Sequence, residues 1–160
     1  MPGAAALPRP DALRRLQRFK GRRGPFLLLT ADVRAALRLA RRRPPSLRRM
    51  MREHWPGPVT LAFPARPGLP DACLRRGRVA VRVDAYAGVR CLCRLAGGLL
   101  VSTSLNRRGR PTEMPSRRLR WRWRRHLDGT LPAAGGFCGG GSAPSTVLEW
   151  RPGSVRKLRS

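Results

Sequence analysis

Four short apolar runs, with helical spacing in two of the three intervals between them, constrain the fold of this 160-residue chain most strongly. In those intervals apolar residues recur every three or four positions, which predicts amphipathic helices. Helices that alternate with short strands pack onto a sheet, so the sequence predicts an α/β or α+β domain with a twisted mixed sheet. The runs, predicted as strands, are PFLLLT (25–30), VTLAFPA (59–65), RVAVRVD (78–84) and LLVSTS (99–104).

Turn and capping residues set the expected limits of the helices. Pro10-Asp11 begins the first helix, Ser46 caps the third, and Pro56-Gly57-Pro58 ends it. The last third of the chain contains a Gly-rich loop and two further candidate strands, STVLEW (145–150) and SVRKLR (154–159). Helices are predicted over 12–19, 31–43, 47–55 and 87–97.

Arginine dominates the charge of the chain. The net charge is +27, and of 35 basic residues only Lys20 and Lys157 are lysine. Guanidinium groups bind phosphates through paired hydrogen bonds, and a strongly positive surface attracts nucleic acid. A GC-rich coding sequence would also enrich arginine, so charge alone leaves both interpretations open. The segment RRLRWRWRRH (117–126) suits stacking on RNA bases, or a surface element whose tryptophans pack inward.

The sequence contains no signal for export or for a membrane span. No apolar stretch approaches the roughly 20 residues that a transmembrane helix needs, and the segment MPGAAALPRP lacks a charged region followed by an apolar core. The four cysteines, Cys73, Cys91, Cys93 and Cys138, have no C-x-x-C spacing, which favours free thiols over a zinc site. We therefore expect a cytoplasmic protein with no metal site and no prosthetic group.

Four segments place polar side chains where a helix or strand ends. Each also has an ordinary structural explanation: a basic helix terminus, a stiff proline turn, a solvent-facing arginine, and a capped strand. No single segment decides the function. The segments are Lys20-Gly21-Arg22, the turn HWPGPVT that leads to Thr60, Arg82 within VAVRV, and Ser102, Ser104 and Asn106 at the end of LLVSTS.

In order, the blocks KGR, WPGPVT, VAVRV, VSTSLNRRGRPT and PSTVLEW resemble the threonylcarbamoyl-AMP synthase family, the YrdC-like proteins. The resemblance extends from about Asp11 to Arg159. It implies a YrdC-like twisted sheet with flanking helices and a large concave cavity, in which ATP, L-threonine and bicarbonate form threonylcarbamoyl-AMP and pyrophosphate. The threonylcarbamoyl group would then modify a tRNA adenosine beside the anticodon. The sequence shows no catalytic triad, and adenylate formation needs none, because positioning and neutralised phosphate charge supply most of the catalysis.

The resemblance also implies roles for individual residues and partners. Lys20 and Arg22 would be catalytic and contact ATP. Magnesium would arrive with ATP, because no acidic pair predicts a separate protein site. Further partners would be tRNA or other RNA, and the tRNA-modification proteins that use the adenylate. The remaining ATP-binding positions are Ser104, Asn106, Thr112 and Arg159, and the threonine-binding positions are Arg82, Ser102 and Ser145.

One family block has no counterpart before Asp11: a strand and turn of the form P-T-E-T-x-Y-G-L. We therefore expect a single YrdC-like domain over 1–160 that lacks this strand and has an unpaired sheet edge. The main interpretation is an active synthase. The alternative is a protein of the same fold that is catalytically inactive and binds RNA, or a truncated gene product. A third interpretation is a carbamoyl-transfer module like those in hydrogenase maturation proteins.

Overall fold

The computed structural model of the protein describes residues 3–104, 128–129 and 146–159. The eight strands of this part of the chain form one sheet, and a 3-10 turn at Asp71–Cys73 precedes β4. The four helices are α1 Pro10–Lys20, α2 Val33–Leu37, α3 Pro45–His54 and α4 Ala87–Leu95. The strands are β1 Gly3–Ala6, β2 Leu27–Thr30, β3 Thr60–Pro64, β4 Leu74–Arg75, β5 Arg78–Arg82, β6 Leu99–Ser104, β7 Val147–Arg151 and β8 Ser154–Arg159.

The sheet is mixed, with the order β1-β6-β2-β5-β3-β7-β8, and β4 pairs with β5. The strands β2 and β5 are parallel, as are β3 and β7, and the other pairs are antiparallel. The register places Leu28 beside both Val81 and Val101. Successive side chains of a strand point to opposite faces, so Leu29 and Arg82 lie on the other face.

Three helices cover the face that carries Leu28, Val81 and Val101, which we call the helical face. One buried cluster joins these side chains to apolar residues of α1, α2 and α3. Of the described helices, only α4 packs on the opposite face, where Cys93 contacts the cluster of Leu29 and Leu100. We call this second face the α4 face. None of the described helices is long and apolar enough to cross a membrane.

The structure corrects two predicted helix boundaries. The second helix ends at Leu37 instead of 43, because the following backbone pairs with the end of β3 and the residues just beyond it: Arg41 N donates to the Pro64 carbonyl (2.9 Å) and Arg66 N to the Leu39 carbonyl (2.8 Å). The third helix is capped by Pro44, and Ser46 lies within its first turn. Proline at the first helical position favours this start because its φ is already helical.

The sheet edge beside β6 is paired, contrary to the expectation from the sequence. Strand β1 lies antiparallel to β6, with Gly3 opposite Ser104 and Ala6 opposite Val101. Since β2 pairs with the other side of β6, that strand lies inside the sheet. The sequence did not predict β1 because the strand GAAA has no β-branched or aromatic residue.

The packing on the helical face predicts a large stability effect for Phe63→Ala. Phe63 of β3 is completely buried, and truncating such a ring costs about 3–5 kcal/mol through lost burial and the remaining cavity. Leu95→Ala is the control, because Leu95 is 81% exposed and should change the free energy of unfolding by less than about 0.5 kcal/mol. Urea titration measures both, and equal effects would contradict this core.

Candidate active site

The first part of the candidate site is the last residue of α1 together with the loop that follows it, which we call the KGR loop (20–26). Helix α1 ends because Gly21 is left-handed, with φ of 62°, and the following amides fold back onto the last turn. Gly21 N donates to the Arg18 carbonyl and Arg22 N to the Gln17 carbonyl, both at 3.3 Å. The helix terminus predicted from KGR is confirmed.

Lys20 connects the KGR loop to the end of β6. Its side chain is buried, with 4% exposed, and Nζ donates a hydrogen bond to the Ser104 carbonyl at 2.9 Å. Two predicted site residues from sequence positions 84 residues apart are thus in direct contact. The contact fixes the ammonium group at the tip of the strand that carries Ser102 and Ser104.

The positive charges of the loop are poorly solvated. Burial lowers the pKa of Lys20 below its usual 10.5, and the nearby charge of Arg22 lowers it further. Burial also lowers the pKa of Arg22. An anion bound beside these groups would replace the lost solvation and raise both pKa values again, so the loop electrostatically favours a phosphate or carboxylate.

The KGR loop is held in place on both sides of Arg22. The Arg22 Nη1 donates to the Pro25 carbonyl at 3.2 Å, and its guanidinium lies 5.0 Å from the centre of the Phe26 ring. Gln17 Nε2 donates to the Arg23 carbonyl at 3.0 Å. These contacts order a segment that would otherwise lose conformational entropy when a ligand binds.

The loop also packs tightly against the turn Asp71–Cys73. Phe26 N donates to the Ala72 carbonyl at 2.8 Å. Gly24 has φ of +137°, and a Cβ there would lie 2.4 Å from the same carbonyl oxygen. Only glycine fits this close approach of two backbone segments.

Arg82 lies on the α4 face at the end of β5. An ion pair joins its Nη2 to Asp84 Oδ2, and Asp84 Oδ1 accepts a hydrogen bond from Tyr86 N at 2.9 Å. The Arg82 Nε is buried without a hydrogen-bond partner among the described residues. The guanidinium therefore has a fixed position and a donor that a further oxygen could use.

Ser102 and Ser104 lie on the same face of the sheet as Arg82. The register pairs Leu27 with Ser102 and places Leu29 between Arg82 and Leu100, so these side chains share one surface. Both serines are partly exposed. Their neighbours along the strand, Val101 and Thr103, point to the other face and are buried. Small hydroxyls and one arginine on a shared surface can hold a carboxylate or a ribose by hydrogen bonds.

Several predicted residues fall outside the part of the chain that is described. Asn106, Thr112 and Ser145 lie in 105–127 and 130–145, as do the arginine-tryptophan segment and the whole Gly-rich loop. Arg159 ends β8, and only its backbone is described. Their assignments stay predictions.

Sequence analysis missed the residues that position the predicted ones. Asp84 is two positions beyond Arg82, and the strand alternation alone would have placed both on one face. Gln17 and Gly24 carry no local signal for their contacts with the KGR loop. Within the described residues, no group of three or more His, Cys, Asp or Glu side chains is arranged to hold a metal ion.

Comparison with known proteins agrees with the order of the sequence blocks. The family model Sua5_yciO_yrdC, described as telomere recombination, matches residues 3–160. The chain belongs to the Sua5/YciO/YrdC family. It is 38% identical over 151 residues to the threonylcarbamoyl-AMP synthase of Nitrosococcus oceani, covering 91% of this chain and 78% of the relative. The synthase of Methylococcus capsulatus is 36% identical, covering 92% and 75%.

Solved structures of Sua5/YciO/YrdC proteins share the fold. P. abyssi Sua5 complexed with L-threonine aligns with a TM-score of 0.81 at 23% identity, covering 98% of this chain and 46% of that chain. E. coli YciO aligns with a TM-score of 0.77 at 21% identity, covering 99% and 78%. The predicted twisted mixed sheet with flanking helices is confirmed, and the chain spans about half of the Sua5 protein.

The close approach of Gly24 to Ala72 predicts that Gly24→Ala destabilises the fold by about 2–4 kcal/mol, because it adds a steric clash to an unfavourable φ. The matched control is Gly68→Ala, where φ is +85° but no atom lies within 4 Å of the added Cβ. We expect about 1 kcal/mol there. Denaturant unfolding compares the two variants, and equal losses would show that the backbone contact is unimportant.

The burial of Lys20 predicts an abnormal titration. A protein labelled with 13C at lysine Cε follows the titration of Lys20, whose midpoint should lie below 10.5. Between the lowered folded pKa and 10.5 the unfolded chain binds more protons at this residue, so Lys20 contributes a free energy of unfolding that rises with pH. The buried thiols of Cys73 and Cys93, with pKa values raised to about 11, contribute in the opposite direction, so the quantity to compare is the parent minus Lys20→Met, which should increase with pH in this window. A Lys20 midpoint at or above 10.5 would contradict the buried position.

Proposed function

We propose that this chain forms threonylcarbamoyl-AMP and pyrophosphate from ATP, L-threonine and bicarbonate. The observation that carries the proposal is 38% identity, over most of both chains, to a protein named threonylcarbamoyl-AMP synthase. The product would supply tRNA threonylcarbamoyladenosine modification. The arrangement of Lys20, Ser104, Ser102 and Arg82 supports the same reaction class, because it combines an anion-binding loop with a small polar surface.

The KGR loop suits the nucleotidyl-transfer step. The threonine nitrogen bonds to the bicarbonate carbon with loss of water, which gives a carbamate. A carbamate oxygen then bonds to the α-phosphorus of ATP as the bond from that phosphorus to the β-phosphate oxygen breaks and pyrophosphate leaves. Negative charge accumulates on the phosphate oxygens in such a step, and preorganised cations stabilise it. We assign this role to Lys20 and Arg22, whose pKa values are lowered first of all by burial of the charged groups.

The polar residues of the α4 face suit the binding of L-threonine. A guanidinium binds a carboxylate in a planar, directional pair of hydrogen bonds, so we assign the threonine carboxylate to Arg82, with Ser102 beside it. The structure of P. abyssi Sua5 with L-threonine supports threonine as the substrate. Asp84 would orient Arg82 from the opposite side by the ion pair described above.

The remaining assignments complete the proposal from the family resemblance. Ser104, Asn106, Thr112 and Arg159 would contact ATP, and Ser145 would contact threonine. Magnesium would arrive bound to the ATP phosphates, since Asp84, the acidic residue beside Arg82, is already paired. A single catalytic domain over 1–160 in the cytoplasm, with tRNA and modification proteins as partners of the adenylate, fits this reaction.

Pyrophosphate release tests the proposal. The purified chain with ATP and Mg2+ should release pyrophosphate only when L-threonine and bicarbonate are both present, and Lys20→Ala should lower the rate at least 100-fold by removing a cation beside the reacting phosphates. The matched control is Lys157→Ala, the exposed second lysine, which should keep the parent rate.

Two results would count against the synthase. No release by a folded chain would favour the catalytically inactive alternative. Release without threonine would indicate ATP hydrolysis of another kind.

A further inference from the structure

Six arginines lie within twelve consecutive residues that include helix α3, on the helical face of the sheet. The segment RRRPPSLRRMMR (41–52) is half arginine and contains no acidic residue, whereas 35 of the 160 residues of the whole chain are basic. All six side chains are exposed. We call this set the α3 arginine surface; it comprises Arg41, Arg42, Arg43, Arg48, Arg49 and Arg52.

The amphipathic character of α3 explains why its arginines share one surface. Leu47, Met50 and Met51 are buried in the core, which turns the remaining positions outward. Arg48 and Arg52 are one helical turn apart, about 6 Å along the axis. In double-stranded DNA the phosphates of one strand follow each other at about 3.4 Å along the axis, so arginines one helical turn apart match phosphates about two positions apart in a duplex of similar spacing.

The charge of this surface is not neutralised within the described residues. Arg49 pairs with Glu53 at 3.9 Å, and both side chains are exposed. The other five arginines form no ion pair with another described residue. The side chains of Arg48, Arg49 and Arg52 lie with Pro45 and Glu53 on one open side of α3. Repulsion among close, unpaired cations is relieved when an external polyanion binds.

We propose that the α3 arginine surface binds the phosphate backbone of a folded RNA. Guanidinium groups contact phosphates bidentately, and each neutralised phosphate releases counterions, which drives binding. The exposed, unpaired arginines of the α3 arginine surface are sufficient to predict phosphate binding. The choice of RNA rests on the proposed function, whose product is used on a tRNA.

The α3 arginine surface contains none of the candidate site residues. Helix α3 packs on the helical face, whereas Arg82 and Ser102, to which the threonine part of the site is assigned, lie on the α4 face. The two functions can be measured independently on one protein.

Salt-dependent binding of an unmodified tRNA transcript tests the proposal on the full chain. The triple variant R48Q/R49Q/R52Q is compared with R75Q/R94Q/R156Q, which removes the same charge from exposed positions on β4, α4 and β8. Fluorescence anisotropy between about 50 and 300 mM KCl gives the slope of log K against log salt. The α3 triple should flatten this slope by about 2–3 and weaken binding at least tenfold near 100 mM salt. The control triple should change affinity less than about threefold.

Further variants keep the proposal testable if the triple variant folds poorly. The charge-preserving R48K/R49K/R52K should retain the slope of the parent, and the single Arg52→Gln should reduce it by about one. Pyrophosphate release measured without RNA should be unchanged in every variant. A loss of RNA binding with unchanged pyrophosphate release supports the α3 arginine surface as the RNA site. A loss of pyrophosphate release would show that the variant also disturbs the active site.

Three results would overturn the proposal. Equal weakening by the two triple variants would show that charge spread over the whole chain binds RNA. An unchanged slope in the α3 triple would show that this surface makes no phosphate contacts. Displacement of the tRNA by poly-glutamate as effectively as by unlabelled tRNA would assign the surface to an acidic polypeptide.

Discussion

The register of β2 between β5 and β6 is the constraint on which the rest of the structure depends. It aligns Leu28 with Val81 and Val101 on the helical face, and Leu29 with Arg82 on the α4 face. A slip of β2 by one residue would move Leu28 to the α4 face and turn Leu29 toward the helical face, so that β2 would no longer match Val81 and Val101 in the core. The same register that builds the apolar core therefore also brings Arg82 and Ser102 to one surface.

The candidate site places poorly solvated positive charges on or beside strands whose other side chains form the apolar core. Lys20 is held at the tip of β6 by the Ser104 carbonyl, and burial disfavours its charged form. Arg82 is oriented by Asp84 but keeps one buried donor without a partner among the described residues. Both features favour negatively charged groups, as expected for a protein that handles ATP and an amino acid.

The sequence predicted strongly patterned elements and missed those formed by tertiary contacts. The strand at 99–104 was predicted with its observed limits, because LLVSTS has a dense apolar run that ends at polar residues. The helix over 31–43 was predicted too long, since no local pattern announces that Ala40 pairs with Ala65. Strand β1, with the sequence GAAA, has no local strand signal, and its pairing with β6 is visible only in the folded chain.

The site was predicted in the same uneven way. The block order identified the family, and the roles that it implies for Lys20 and Arg82 stay predictions. The contact of Lys20 with Ser104, and that of Gly24 with Ala72, join segments far apart in sequence and needed the folded chain.

The most direct test of the account is an amide chemical-shift map of the 15N-labelled chain with L-threonine and a non-hydrolysable ATP analogue. The account predicts perturbations at the KGR loop and at Arg82, Ser102 and Ser104, with none on the exposed side of α3. Saturable binding whose shifts avoid the KGR loop and the α4 face, or no binding by a folded chain, would contradict it.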